Sequence, residues 1–247
     1  MSYTFERLSD DISVAVSADH TFGTDAVILA YFAKVKRKDR ALDMGTGCGI
    51  IPLLWLRDKA QSPVHCLDIQ ENAAEQVRAS IEHNKLGDRL FIHNCDLREI
   101  EKEFSPEGFT LVTMNPPYKP LNTGFESLSE SARIARHEVT CGVDDAVQAA
   151  AYLLTYGGRF CMCHRPERLV DVLTAMRAFN LEPKRLRFVF DKAGEEPFLF
   201  LVEGKKGGKP FLRVEADLII KNEESKFSEE MLKVYGSYAD GYEDKVR

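Results

Sequence analysis

Nothing in the sequence stays apolar for longer than the run from Ala26 to Ala33, far short of the roughly 18 residues that cross a bilayer. The opening residues, Met1 to Arg7, lack the basic-then-apolar layout of a secretory leader. There is no repeat and no low-complexity tract. The cysteines, at 48, 66, 95, 141, 161 and 163, form no C-x-x-C pair and no zinc-type spacing with histidine. These absences exclude a membrane span, a disulfide framework and a metal centre of recognisable spacing. The expectation is a soluble, cytoplasmic protein with reduced cysteines, several of them in apolar runs where a thiol behaves as a small buried hydrophobe.

What is present is ordinary for a globular chain: 44% hydrophobic and 29% charged residues in 247. A chain of this size buries roughly 73% of its unfolded surface, enough for a core without staples. The net charge of −6 divides unevenly. Residues 1–132 carry 14 basic and 20 acidic groups, residues 133–214 carry 14 and 10, and residues 215–247 carry 5 and 9. A basic segment between acidic flanks suits a polyanionic partner, but a solvated surface explains it as well.

From residue 41 short apolar runs alternate with amphipathic stretches, the pattern of a parallel sheet covered by helices. Strands are expected at Ala41–Met44, Val64–Leu67, Leu90–His93, Phe109–Met114 and Gly158–Cys163. Helices are expected at Ile50–Asp58, over the stripe Ala73, Ala74, Val77 and Ile81, and at Val143–Leu154 and Glu167–Asn180. The period then changes to strands at Leu186–Phe190, Phe198–Glu203 and Phe211–Ile220. Ser228 is placed to cap a last short helix through Tyr235. The fold class is therefore α/β, with a mostly parallel central sheet and antiparallel strands at its C-terminal edge.

Gly45-Thr46-Gly47-Cys48-Gly49 sits where the first of these strands turns into a helix. Glycines there permit positive φ and let a ligand approach the backbone, while the helix N-terminus offers unpaired N–H groups. A dinucleotide fingerprint wants its third glycine at position 50, which is Ile50. The G-x-G-x-G form instead resembles motif I of S-adenosylmethionine methyltransferases, whose Rossmann-like fold the sheet pattern matches. Asp68 ends the second strand, where a carboxylate can accept both ribose hydroxyls. Asp96 follows the third, placed for an adenine amino group. Acids at strand ends are usually solvated caps, but three successive strand ends in order point to a nucleotide-type cofactor.

Asn115-Pro116-Pro117-Tyr118 follows the fourth strand. Two prolines alone would merely stop a strand, which leaves the Asn and Tyr unaccounted for. The tetrapeptide matches motif IV of amino-methyltransferases that act on planar, conjugated NH₂ groups. The resemblance implies that the Asn115 side-chain oxygen and the Pro116 carbonyl each accept one N–H of the target, freeing the nitrogen lone pair as attack begins. It implies that Pro117 stiffens the loop and Tyr118 stacks on the target base. Asn115, Pro116, Pro117 and Tyr118 are thus the catalytic candidates. The motif does not choose among adenine N6, cytosine N4, guanine N2 and the glutamine amide.

The whole chain resembles the bacterial tRNA(Val) adenine N6-methyltransferases, which modify the adenosine beside the anticodon. The matching stretches are His20–Ala30, motif I, Asn-Pro-Pro-Tyr, Arg133–Glu138, Glu182–Arg187, Lys205–Pro210 and Phe227–Glu230. The resemblance implies S-adenosylmethionine as cofactor and tRNA as substrate, with a monomer expected. It implies three segments: an N-terminal cofactor-capping extension (1–40), the methyltransferase domain (41–220) and a C-terminal helical extension (221–247). Expected cofactor contacts are Thr24, Asp25, Asp43, Gly45, Thr46, Gly47, Gly49, Asp68, Ile69, Asp96, Leu97 and Asn115, although Thr24-Asp25 also reads as a helix N-cap. Candidate RNA contacts are Lys119, Arg133, Arg136, Lys184, Arg185 and Arg187, each also readable as a surface ion-pair residue. His137 and Glu138 are expected to brace their loop, and 119–131 to serve as a substrate lid or a plain connection. Three alternatives stay open: a glutamine N5-methyltransferase acting on release factors, a non-catalytic RNA-binding protein of the same fold, and an NAD(P) oxidoreductase. The first normally carries a helical domain before motif I for which about 40 residues leave no room. The second conflicts with the intact motifs, and the third with Ile50.

Overall fold

The computed structural model describes residues 3–18, 20–58, 60–117, 141–236 and 238. Its central sheet contains β3 (Ala41–Met44), β4 (Val64–Asp68), β5 (Leu90–Asn94), β6 (Phe109–Met114), β7 (Leu154–His164), β8 (Leu181–Phe190) and β9 (Leu199–Lys206). Two short pieces, β10 (Arg213–Val214) and β11 (Leu218–Ile219), pair with β8. The strand order is β10-β8-β9-β7-β6-β3-β4-β5. Neighbours are parallel from β5 across to β7, and the antiparallel pairing lies at the C-terminal side, where β9 runs against both β7 and β8. The strand order reverses at β3, which lies between β4 and β6, and a ligand crevice forms at such a switch point.

Both faces of the sheet are covered, so its strands are nearly continuously buried. Alternate residues supply two cores. Ala41, Val64, Cys66, Leu111, Cys161 and Leu201 face one, shared with α1 (Thr24–Ala33) and α2 (Ile50–Arg57), including Trp55. Leu42, Leu67, Val112, Phe160 and Phe200 face the other, shared with α4 (Val143–Leu153) and α5 (Leu169–Ala178). Helix α1 is apolar from Ala26 to Ala33 and buries seven of its ten residues, with Tyr31 exposed. The C-terminal helix α6 (Glu229–Tyr235) packs on α1 and starts where expected, with the Ser228 hydroxyl accepting from Met231 N at 3.2 Å.

The N-terminal segment holds a hairpin that the sequence reading did not resolve: β1 (Thr4–Arg7) against β2 (Ser13–Val16). Four-residue strands with an exposed partner give too few alternations to register as a pattern. The edge of β2 that β1 leaves free is satisfied by side chains of α3 (Glu71–His83) and the Asn84 that caps it. Ser13 N donates to Asn84 Oδ1 (2.8 Å), Ala15 N donates to Ser80 Oγ (2.9 Å), and Gln76 Nε2 donates to the carbonyls of Ala15 (2.8 Å) and His20 (2.9 Å). Residues 76, 80 and 84 form one i, i+4 stripe, so the helix presents a polar row at the strand's edge. In this way buried backbone groups find partners without another strand.

The expected strand 211–220 is broken. Only β10 and β11 reach the ladder, and the carbonyls of Ala216 and Asp217 between them accept from the Arg187 guanidinium at 2.7 and 3.3 Å. Strand β7 starts earlier than expected, directly after α4, with a register shift against β6 between Phe109 and Leu111. Glu167–Asn180 divides into a 3₁₀ turn at Pro166–Arg168 and α5.

Gln76 is almost fully buried, and its loss would strand two carbonyls and the Ser17 hydroxyl. Gln76→Ala is expected to lower stability by about 2–4 kcal/mol. Urea unfolding checks this; a change below about 1 kcal/mol would mean that the hairpin is not held this way.

Candidate active site

The loops after β3, β4, β5 and β6 open on one cleft of about 480 Å³. Glycines form the first wall. Gly45, Gly47 and Gly49 all hold positive φ, at 64°, 54° and 79°. No atom lies within 4 Å of where a Gly47 Cβ would stand, so the backbone itself faces open space. Gly49 differs: it N-caps α2, a Cβ there would meet Val77 Cγ2 at 3.0 Å, and it is not among the cleft-lining residues. It packs the start of α2 against α3.

Asp68 ties the glycine loop to β4. Its carboxylate accepts from Gly47 N (2.9 Å) and Gln70 N (3.0 Å), and Thr46 N donates to the Leu67 carbonyl (3.0 Å). A carboxylate offers about four acceptor positions, so two remain for ligand hydroxyls. Asp43 lies beneath the loop and is 1% exposed. Burial pushes its carboxyl from an ordinary 3.8 up to about 7, against the opposing hydrogen bond from Thr113 Oγ1 at 2.6 Å. Asp96 caps the 3₁₀ turn after β5, and its Arg98 partner holds the carboxyl below the usual range. Ile69 and Leu97 also line the cleft.

Asn115, Pro116 and Pro117 line the opposite wall, where β6 ends. Asn115 Nδ2 donates to Asp25 Oδ2 at 3.1 Å, and the Cys163 thiol donates to Asn115 Oδ1 at 3.1 Å. Asp25 thus lies in the cleft as expected, but Thr24 does not. The hydroxyl of Thr24 is 2.9 Å from Tyr235 Oη, on the far side of α1's first turn, where it lines a separate cavity of about 220 Å³. The helix's N-cap is Gly23, with no side-chain cap bond, which replaces the Thr24-Asp25 cap. His20, Phe22, Gln70, Arg98 and Met114 also line the cleft. His20 and Phe22 belong to the His20–Ala30 stretch, and the His20 carbonyl accepts from Gln76 of α3.

The RNA-contact candidates fare differently. Arg185 is 16% exposed and spans two carboxylates: Nε to Glu215 Oε1 (2.7 Å) and Nη1 to Glu203 Oε2 (2.9 Å), its guanidinium 4.2 Å from the Phe32 ring centre. Arg187, 12% exposed, makes two 2.7 Å bonds to Glu230. Both make internal ion pairs that join β8 to α1, β9 and α6, and a guanidinium so engaged has few donors left for phosphate. Lys184, also on β8, lies 5.8 Å over the Phe211 ring and donates to the Lys209 carbonyl at 2.9 Å. Tyr118, Lys119, Arg133, Arg136, His137, Glu138 and the 119–131 connection lie outside the described residues. Among the described residues no His, Cys, Asp and Glu group suits a metal ion, and no helix is long and apolar enough to cross a membrane. Burial pushes the Cys48 thiol up to about 12, in keeping with a structural thiol.

Residues 16–167 match the model of the methyltransferase small domain. A tRNA1(Val) (adenine(37)-N6)-methyltransferase of Christiangramia forsetii is 32% identical over 66% of this chain and 68% of its own. One from Porphyromonas gingivalis is 28% identical over 73% and 72%. Among solved structures, a predicted O-methyltransferase from Agrobacterium tumefaciens superposes with a TM-score of 0.70 at 21% identity, over 86% of this chain and 95% of that one. A geranyl diphosphate C-methyltransferase from Streptomyces coelicolor, solved with S-adenosyl-L-homocysteine, gives 0.54 at 13% identity, over 73% and 76%. At these identities the structures speak to fold only.

Two outcomes follow from the site's electrostatics. The folded Asp43 holds its proton more tightly than the unfolded chain does, so the stability it confers is present in acid and lost as pH rises from about 4 to about 7. Asp43→Asn, which does not titrate, should lose less stability than wild type across that window, by on the order of 1 kcal/mol per pH unit. Urea titrations at several pH values measure the difference; parallel curves would place the Asp43 carboxyl near its ordinary range. Arg185→Glu should lower stability by about 3 kcal/mol, because it leaves Glu215 without this cation, leaves Glu203 with Arg159 at 3.4 Å, and sets a third carboxylate beside them. An unchanged denaturation midpoint, with weakened RNA binding, would reinstate Arg185 as an RNA contact.

Proposed function

The chain belongs to the methyltransferase small domain family, and on that premise we propose that it methylates the exocyclic N6 of adenosine 37, beside the anticodon, in a valine tRNA, using S-adenosylmethionine. One observation carries this reading: Asn115-Pro116-Pro117 leaves the end of β6 into the same cleft as the glycine loop. The relatives named for this reaction supply the choice of adenine and of tRNA, which the motif alone leaves open. The reaction belongs in the cytoplasm, with its tRNA.

The cleft fits the cofactor. It has positive-φ glycines with open space beside Gly47, carboxylates at successive strand ends, and a volume within the roughly 300–1,000 Å³ usual for small-molecule sites. Gly45, Thr46 and Gly47 would hold its amino acid part, Asp68 its ribose hydroxyls, and Asp96, Ile69 and Leu97 its adenine. When bound, S-adenosylmethionine supplies an electrophilic methyl group. The chain's own contribution is to the nucleophile. An adenine amine is planar, its lone pair delocalised into the ring. Asn115 Oδ1 and the Pro116 carbonyl accept its two N–H bonds and favour the tetrahedral nitrogen that forms as the new N–C bond is made. Both bonds strengthen as positive charge develops on nitrogen, so they act on the chemical step more than on binding. The surplus proton then leaves the nitrogen for solvent, and no strong base is needed. Tyr118 is the residue expected to stack on the target base.

Asn115→Ala should lower kcat by about a hundredfold or more while leaving affinity for S-adenosylmethionine within a few-fold. The decisive assay offers tritiated S-adenosylmethionine with separate pools of tRNA, rRNA and release factor, followed by nucleoside mass spectrometry. N6-methyladenosine in tRNA supports the proposal. Label in release factor, with the RNA pools silent, would transfer the reaction to a glutamine amide.

A further inference from the structure

An asparagine used as an acceptor has a weakness: its amide is nearly symmetric in shape, and rotated by half a turn it offers N–H bonds where the oxygen was. Turned that way, Asn115 would meet the target amine donor to donor. Something must hold the amide one way round. We infer that Asp25 is a positioning residue which fixes the orientation of the Asn115 amide, and with it the aim of Oδ1; the inference rests on the amine-acceptor role of Asn115 proposed above.

Three features of the fold carry it. The Asp25 carboxylate, which can accept but not donate, faces Asn115 Nδ2 at 3.1 Å. With the amide reversed, two acceptor oxygens would stand at that separation in a half-buried site. On the other side Oδ1 accepts from the Cys163 thiol, a weak donor, at 3.1 Å. Thus both neighbours favour one orientation, and the carboxylate decides it. Finally, the carboxylate's own position depends on Gly23: a Cβ there would lie 2.4 Å from Asp25 Oδ1. Asp25 is also in the first turn of α1, where the helix end favours negative charge. The pair joins residues 90 positions apart, the first turn of α1 and the end of β6.

The test exchanges the chemistry of the pair and separates kcat from cofactor affinity. Asp25→Ala and Asp25→Asn should each lower kcat by about tenfold or more, with the dissociation constant for S-adenosylmethionine, measured by calorimetry, within threefold of wild type. Gly23→Ala, which displaces the carboxylate, should match Asp25→Ala. Asn115→Asp alone sets two carboxylates face to face and should be the poorest variant. The double variant Asp25→Asn with Asn115→Asp restores a donor–acceptor pair with an oxygen at position 115, and should regain at least about tenfold in kcat over Asn115→Asp. Additive losses in the double variant, or a cofactor affinity weakened about tenfold at unchanged kcat, would overturn the inference and make Asp25 a cofactor contact. If wild type labels no tRNA, the proposed reaction fails, and the orientation is read instead from the Asn115 side-chain amide in ¹⁵N-asparagine-labelled protein. A downfield Nδ2 proton that moves upfield in Asp25→Ala supports the pairing; no movement sinks it.

Discussion

Parallel pairing of β3 with both β4 and β6 is the constraint on which the rest of the structure depends. The chain travels from β3 outward through β4 and β5, then returns to β3's other side with β6. The loops after β3 and β6 therefore leave neighbouring strand ends for opposite faces, and a crevice opens between them. The glycine loop and Asn115 share a cleft for that reason. Parallel strands also require helical crossovers, so both faces are covered and a polar side chain in a strand must find its partner inside. Asp43 and Thr113 are direct register partners on β3 and β6 and bond to each other. The buried acid beneath the glycine loop is thus a product of the same pairing.

The segments outside the sheet close the cleft's remaining side. The hairpin is held to α3 by the row Gln76, Ser80 and Asn84, and His20 and Phe22 after it line the cleft. Helix α1 then starts at Gly23, with Asp25 against Asn115 and Thr24 against Tyr235 of α6. The two faces of one helical turn therefore do two jobs, one toward the site and one toward the C-terminal helix. Leu8, Leu29, Trp55 and Tyr235 share one hydrophobic core, so the terminal extensions pack as part of the same body as the sheet.

Charge behaves differently in three dimensions than along the chain. The surplus of basic residues in 133–214 suggested a surface for RNA, yet Arg159, Arg185 and Arg187 turn inward onto Asp39, Glu203, Glu215 and Glu230. Two of those acids, Glu215 and Glu230, come from the acidic C-terminal flank. The uneven charge of the linear sequence is thus partly an ion-pair network seen unfolded, joining the far edge of the sheet to the helices that cover it.

By itself, the sequence determined what depends on residues a few positions apart. The strand–glycine–helix turn at Gly45–Gly49, the acids Asp68 and Asp96 at strand ends, the Asn115-Pro116-Pro117 stop and the Ser228 cap were legible because local backbone geometry and short hydrophobic periods encode them. The element order sufficed for the α/β class. Only the tertiary structure decided the partners. It assigned Gly49 to Val77, Thr24 to Tyr235, and Arg185 and Arg187 to carboxylates 30 and 43 residues further on. It also set Asn115 between Asp25 and Cys163, 90 and 48 residues away. The physical reason is one of range. Propensity and periodicity act over a turn of helix or a few strand residues, whereas a hydrogen bond or ion pair needs its two groups within about 3 Å, and strand order and register set that distance.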